Sequence, residues 1–327
     1  MNRLATYRIP LLAALACLLW STPFAVIKMG LQHLTPLAFA GLRFMLAGLL
    51  LVPFWAGRNG VWSMVGAQLR SIALLSFFQT ALLYGLFFIG LTLVPGALGA
   101  IVIGASPLIT AVTAHFLMAD DAMTGRKTLS IGVGLTGIVL LTLSRNPWTP
   151  AGFRELVGIG LLILSSISSA FGNVLVARDR HGLDPVLLNS CQIFLGGLVL
   201  FAVSLVAEGR PQLALPPGFY LALLWLAAVS AAAFTLWFYL LKQPGVRVSG
   251  LNLWKFLIPV FGAILSWMLL PDESPTVMPV IGMLLVALSI VAYHSRWTAG
   301  AGSAPDGAPP TGGSSIRSWF SSTIPRR

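Results

Sequence analysis

Ten apolar runs, parted by short polar or Pro/Gly-bearing stretches, divide the chain: Pro10 to Met29, Thr35 to Ala56, Arg70 to Val94, Ala97 to Ala119, Thr128 to Ser144, Leu156 to Ala177, Pro185 to Ala207, Gly218 to Leu241, Val248 to Leu270 and Thr276 to His294. Each is about long enough to cross a bilayer core, and none alternates polar with apolar positions as a barrel strand does. They are expected to be helices, because in hydrocarbon a helix satisfies its own backbone within one segment. Val94-Pro95-Gly96 joins the third run to the fourth almost directly, so neighbouring helices are expected as antiparallel hairpins.

The runs fall into two sets of five that echo each other. Arg43-Phe44-Met45-Leu46-Ala47-Gly48-Leu49-Leu50-Leu51 returns as Gln192-Ile193-Phe194-Leu195-Gly196-Gly197-Leu198-Val199-Leu200, preceded at the same distance by Pro36 and Pro185. Pro107-Leu108-Ile109, followed by Asp120-Asp121, matches Pro259-Val260-Phe261, followed by Asp272-Glu273. Five is odd, so successive sets insert oppositely. The expected fold class is an all-α polytopic membrane protein: ten transmembrane helices as two inverted five-helix repeats around a central cavity. The expected division is a first repeat over 1–145, an outer linker over 146–155, a second repeat over 156–296, and a disordered cytoplasmic tail over 297–327, whose Gly, Ala, Ser and Pro content offers little to bury.

Composition agrees with that reading. A 327-residue chain that is 57% hydrophobic and 9% charged has too much apolar surface for a soluble core and needs lipid around it. Its net charge of +11 raises the question of nucleic acid, but the basic residues lie scattered at helix ends without a stripe of interleaved aromatics. Orientation accounts for them: a cytoplasmic N-terminus puts Arg3, Arg8, Arg58, Arg70, Arg126, Lys127, Arg178, Arg180, Lys242, Arg247, Arg296 and the tail arginines inside, and only Lys28, Arg145, Arg154 and Arg210 outside. The first run resembles an export signal, but Pro23 and Lys28 fit a cleavage site poorly, and losing the run would leave one repeat a helix short. Cys17 and Cys191 lack zinc or CxxC spacing and are read as packing residues. Neither a metal nor a cofactor is expected.

Gly132-Val133-Gly134-Leu135-Thr136-Gly137 matches the dinucleotide pattern inside an apolar helix with no strand before it, and is rejected. These glycines, like Gly85 or Ser165 with Ser169, are expected to let transmembrane backbones approach. More telling is what the runs lack: they hold basic and amide side chains but no Asp or Glu away from helix ends. Proton-coupled export of lipophilic cations commonly needs an intramembrane carboxylate, so simple carboxylate-based antiport and a preference for cations are both disfavoured.

Arg43, about two turns into the second helix, would cost about 2.5 to 3.5 kcal/mol if buried without compensation. It either attracts an anionic group in a wet cavity or snorkels and ties helix ends together. Lys255, between Trp254 and Phe256, stands four residues before Pro259, which deprives the Lys255 carbonyl of its helical partner. Pro107 does the same to Ile103, and paired interruptions in two halves point to a binding site. Snorkelling is the alternative for Lys255 and the favoured reading for Lys28. His115 is read as an interface hydrogen-bonding group before a proton relay. Asn173, Asn189, Gln192, Gln79 and Asn252 bridge helices or line a path. Trp20, Tyr84, Trp237, Tyr239 and Trp254 either stack on a planar substrate or serve as packing and belt aromatics. The candidate substrate-binding set is therefore Lys255, Arg43, Trp20, Asn173, Tyr84, Trp237, Trp254 and Tyr239, with Pro23, Pro107, Pro259 and Lys28 as structural or gating positions.

Over Ala13 to Tyr293 the chain resembles the EamA-like transporters of the drug/metabolite transporter superfamily. Leu18-Leu19-Trp20-Ser21-Thr22-Pro23-Phe24-Ala25-Val26-Ile27-Lys28 looks like the family's first helix and Leu42-Arg43-Phe44 like its second-helix motif. Both halves carry a mid-helix Pro and an acidic exit residue, Asp121 and Glu273, followed by Thr124 and Thr276. Asp121 for the usual Glu, and Ala119-Asp120 for the common Leu-Gly, depart from the pattern and reduce what the resemblance assigns to that corner. The resemblance implies ten helices, cytoplasmic termini and export or exchange of small metabolites such as amino acids.

The expected function is that of an inner-membrane carrier, not an enzyme. It would export amino acids or related zwitterionic and anionic solutes by alternating access, through a midplane cavity lined by the first, fourth, sixth and ninth helices. The alternative cargo on the same architecture is a nucleotide sugar, drug or lipid-like solute. A membrane-embedded enzyme finds no support in the absence of HExxH, a GxSxG motif or an intramembrane Asp pair. Expected partners are a small-molecule solute and the lipid bilayer, with no nucleic acid, for a monomer or homodimer.

Overall fold

The computed structural model describes residues 3–94, 99, 102–143, 152–179, 182–212, 214–269 and 277–294. All regular structure among them is helical: α1 (Arg3–Ser21), α2 (Pro23–Gly30), α3 (Pro36–Leu50), α4 (Val61–Ala67), α5 (Leu69–Leu75), α6 (Leu83–Leu93), α7 (Ser106–Leu117), α8 (Gly125–Leu143), α9 (Phe153–Arg178), α10 (Pro185–Ala207), α11 (Pro217–Leu241), α12 (Val248–Leu253), α13 (Leu257–Leu269) and α14 (Val277–His294). Among the described residues five stretches are long and apolar enough to cross a membrane: Pro36–Phe54, Leu69–Leu93, Phe153–Arg178, Pro185–Ala207 and Pro217–Leu241. Shorter apolar helices cover Arg8–Ser21, Val102–Leu117, Val248–Gly262 and Val277–Tyr293. The Pro95-Gly96 turn, Asp272-Glu273, most of the expected linker and the whole expected tail lie outside the described residues.

Prolines set the breaks. Pro23 has no N–H for the carbonyl of Leu19, and the hydroxyl of Thr22 donates to that oxygen at 2.9 Å while Ser21 donates to Leu18 at 2.6 Å. The first run therefore divides into α1 and α2. The fourth breaks at Ala105, just before Pro107, and the ninth tightens into a 3₁₀ turn over Trp254–Phe256, just before Pro259. The third run widens instead, into a π-helical segment over Ser76–Leu82 between α5 and α6. Two glycines of facing helices make room for it. A Cβ on Gly172 would fall 2.0 Å from Gln79 Oε1, and one on Gly196 would fall 2.4 Å from Thr80 Cβ.

Helices of the first half pack on helices of the second: α3 on α10, α8 on α14, α6 on α9, α1 on α11 and α13. In two of these pairs the contacts are reciprocal. A Cβ on Gly48 would meet Phe194 and the Ser190 carbonyl at 2.6 and 2.8 Å, and one on Gly197 would meet the Met45 nitrogen and the Gly41 carbonyl at 2.7 and 2.9 Å. An offset of 149 residues carries Gly48, Met45 and Gly41 onto Gly197, Phe194 and Ser190, so the two contact sets are one set exchanged. Gly41 opposes Phe201 while Gly48 opposes Ser190 and Phe194, so α3 and α10 run antiparallel. On α8 and α14 the offset is 152: Gly137 abuts the Gly282 carbonyl, and Ser289, its counterpart, donates at 2.7 Å to the carbonyl of Ser130, the counterpart of Gly282. Close approach at Gly134 and Gly137 is as expected. Gly132 has nothing near its missing Cβ and Gly85 only an ordinary contact, so the sequence-based role of those two is corrected.

Charged residues work at the helix ends. Asp184 accepts the N–H groups of Val186 and Leu187 and caps α10. Glu208, just past the other end of α10, reaches across to accept the N–H groups of Leu37 and Ala38 at 3.0 and 3.1 Å, capping α3, whose own Thr35 makes no side-chain cap. Asp121, 1% exposed, accepts the Ser249 N–H at 2.8 Å and the Ser249 hydroxyl at the start of α12. Lys127, equally buried, meets the same carboxylate at 2.7 Å and also donates to the carbonyls of Asp121 and Ala122. The small role expected of this corner is thus replaced by a tie between the two halves.

Candidate substrate site

Lys255 projects from the 3₁₀ turn toward two indoles. Its ammonium lies 5.0 Å from the Trp237 ring centre and 5.7 Å from that of Trp20, and those rings are 5.0 Å apart at 59°. Ring faces attract a cation but do not neutralise it. Among the described residues Lys255 has neither a carboxylate nor a hydrogen-bond acceptor, and its side chain remains partly accessible. The turn itself is held by Cys17, whose thiol donates to the Trp254 carbonyl at 3.2 Å.

A buried polar chain fixes the cage. Trp237 Nε1 donates to Asn173 Oδ1 at 3.3 Å, Asn173 Nδ2 donates to Asn252 Oδ1 at 3.2 Å, and Asn252 Nδ2 donates to the Val248 carbonyl at 2.9 Å. The three side chains are fully buried and tie α9, α11 and α12 together. Since its N–H is bonded to an amide that is itself held by Asn252, the indole is locked in orientation beneath the ammonium.

From the cage a row of rings runs to a second cation. Trp20 meets Phe234 edge-on at 5.3 Å, Phe234 is 6.4 Å from Tyr84, and Tyr84 is 4.4 Å from Phe44. Arg43 Cζ stands 5.0 Å over the Phe44 ring, and Arg43 Nε donates to Ser230 Oγ at 2.9 Å. Arg43 is 4% exposed, so it does not snorkel, and its only hydrogen bond among the described residues goes to that hydroxyl. Ser230 directs its own proton to the Leu226 carbonyl. On α11 the residues Ser230, Phe234 and Trp237 follow i, i+4, i+7 spacing and so share one face.

The structure therefore brings together Lys255, Arg43, Trp20, Asn173, Tyr84 and Trp237. It places the others elsewhere. Tyr239 lies under the guanidinium of Arg8 at 5.5 Å, and Trp254 packs its ring between the two larger apolar clusters. Pro23, Pro107 and Pro259 sit at the helix breaks, and the side chain of Lys28 is outside the described residues. His115 Nδ1 accepts the Met123 N–H at 3.1 Å and closes the turn after α7. Thr80, Gln192 and Asn189 form a separate buried string ending on Thr235 and the Ala231 carbonyl. The eighth apolar run, α11, which was not among the helices expected to line the cavity, supplies one wall of this arrangement. Ser230 and Phe234 escaped the sequence reading, although their helical spacing to Trp237 carried the signal. Chemically the arrangement offers two fixed positive charges beside aromatic faces, a setting that attracts an anion without covalent chemistry.

The chain is similar to known transporter proteins. The model of the EamA-like transporter family matches residues 8–143 and again 156–293. The uncharacterized transporter YvbV of Bacillus subtilis (strain 168) is 25% identical over 297 residues, covering 90% of this chain and 94% of that one. The uncharacterized inner membrane transporter YedA of Escherichia coli (strain K12) is 29% identical, covering 79% and 82%. A chloroplastic WAT1-related protein of Arabidopsis thaliana is 28% identical, covering 84% and 67%. A solved crystal structure superposes with a TM-score of 0.71 at 19% identity over 88% of this chain and 96% of that one, a likeness of fold alone.

Proposed function

Because the chain belongs to the EamA-like transporter family and is a multi-pass membrane transporter, we propose that it exports small carboxylate-bearing metabolites, amino acids among them, by alternating access. The observation that carries the cargo is Lys255: an ammonium caged by Trp20 and Trp237, with no described carboxylate to neutralise it. A solute carboxylate completes that cage, and the Asn173–Asn252 chain keeps it in register. Lipophilic cations, by contrast, meet like charge.

The carrier is read as ten helices in two inverted repeats, 1–145 and 156–296, joined by 146–155. The family model's double match supports this, and so do the reciprocal contacts of α3 with α10 and of α8 with α14. The breaks before Pro107 and Pro259 supply hinges at corresponding places. Basic residues at the ends assigned to the cytoplasm favour internal termini, and the likeness to YedA favours a bacterial inner membrane.

Uptake of a labelled amino-acid panel into proteoliposomes tests the reading. Transport of carboxylate-bearing solutes should fall at least about tenfold in Lys255→Met, the loss of one charge-assisted contact, while the protein still folds. Unchanged transport in that variant, or a wild-type preference for lipophilic cations, overturns it.

A further inference from the structure

Two cations stand at the two ends of one aromatic row, and we propose that the site is built for a dianion: an elongated metabolite with one carboxylate at Lys255 and a second at Arg43, its apolar body along Trp20, Phe234 and Tyr84. The inference rests on Lys255 being a carboxylate site and extends it to a second anchor. Arg43 is the reason. A guanidinium carries five N–H donors, and here Nε alone is bonded, to Ser230 at 2.9 Å. The Nη fork has no described acceptor in a residue 4% exposed, while the ring of Phe44 beneath leaves its planar edge to accept a carboxylate bidentately. Neither Nη atom is among the fully buried unpartnered polar atoms, so the fork stays reachable, and a carboxylate that matches its donors gains a charge-assisted pair.

The spacing favours a separate carboxylate for each cation. Ser230, which holds Arg43, and Trp237, which underlies Lys255, are seven positions apart on one face of α11, about 10 Å along the helix. Between them Phe234 meets Trp20 edge-on on one side and Tyr84 on the other, so the intervening wall is aromatic. A short diacid reaches one anchor, and a longer one reaches both.

Isothermal titration of the purified full chain with suberate, its monoamide and succinate tests this. The monoamide keeps the length of suberate and loses one charge, and succinate keeps both charges and loses the length. Suberate should bind about tenfold tighter than either, the worth of one added charge-assisted contact. Arg43→Gln should bring suberate down to its monoamide, leaving the monoamide unchanged, and Ser230→Ala should weaken suberate alone. If suberate binds no tighter than its monoamide, the dianion site is wrong. In that case loss of both ligands in Lys255→Met keeps the single-carboxylate reading, and indifference of both to Lys255→Met removes that too. Should Arg43→Gln fail to fold, the wild-type ligand series decides the matter by itself.

Discussion

The corner around Asp121 and the row from Lys255 to Arg43 hold the same kinds of charge in opposite surroundings. At the corner a buried carboxylate meets an ammonium at 2.7 Å, a backbone N–H at 2.8 Å and a hydroxyl, and the ammonium directs its remaining donors to carbonyls. In the row two cations share ring faces, one hydroxyl and no described carboxylate. The contrast shows where the acidic residues went: Asp121, Asp184 and Glu208 serve helix starts and so hold the scaffold, which leaves the interior positive. Breaking a satisfied buried pair strands its partner, whereas removing an unmatched cation strands nothing.

Unfolding measurements on the purified protein can turn that contrast into numbers. The largest change should come from Asp121→Ala, about 3–5 kcal/mol of destabilisation as Lys127 loses its partner, with much of it restored when Lys127→Met is added. Gly48→Ala should cost about 1–3 kcal/mol by pressing a methyl into Phe194 and the Ser190 carbonyl, while Gly85→Ala, which meets only Leu200 at 3.6 Å, should be silent. Glu208→Gln weakens the cap on α3 and should cost about 0.5–2 kcal/mol. Lys255→Met should leave the melting temperature unchanged or raise it, and a loss as large as that of Asp121→Ala would erase the distinction between the two regions. The smallest change that should still be measurable concerns Lys242, beside Asp179 at 3.6 Å. Burial lowers its ammonium below the ordinary value of 10.5, with the Asp179 and Asp184 carboxylates opposing the shift. A lowered lysine penalises the fold while charged, so stability should climb with pH from the lowered value up to 10.5, and Lys242→Met should flatten that climb.

Much of this was legible in the chain. The echo of Arg43–Leu51 in Gln192–Leu200 reappears as the exchanged contacts of Gly48 and Gly197, because helices repeated in sequence pack through the same small residues. Lys255 stood out as a charge beside a proline, and the helix does tighten there. What sequence reasoning could not supply was partnership across distance. Asp121 and Ser249 are 128 positions apart and Asn173 and Asn252 are 79 apart. No local periodicity encodes which amide meets which, or that Tyr239 turns toward Arg8 and away from the cage. The widened turn at Ser76–Leu82 was equally hidden, since its residues, Ser-Phe-Phe-Gln-Thr-Ala-Leu, suit an ordinary helix, and its cause lies in Gly172 and Gly196 on other segments.

That widened turn has no counterpart in α11, the helix at the corresponding place in the second half, which is α-helical from Pro217 to Leu241. If the halves trade shapes when the carrier reverses, α11 would have to adopt a bulge its own sequence does not make, or α5 and α6 would have to surrender theirs. Under the proposed alternating access neither exchange would be isoenergetic, and the carrier would keep a preferred resting side.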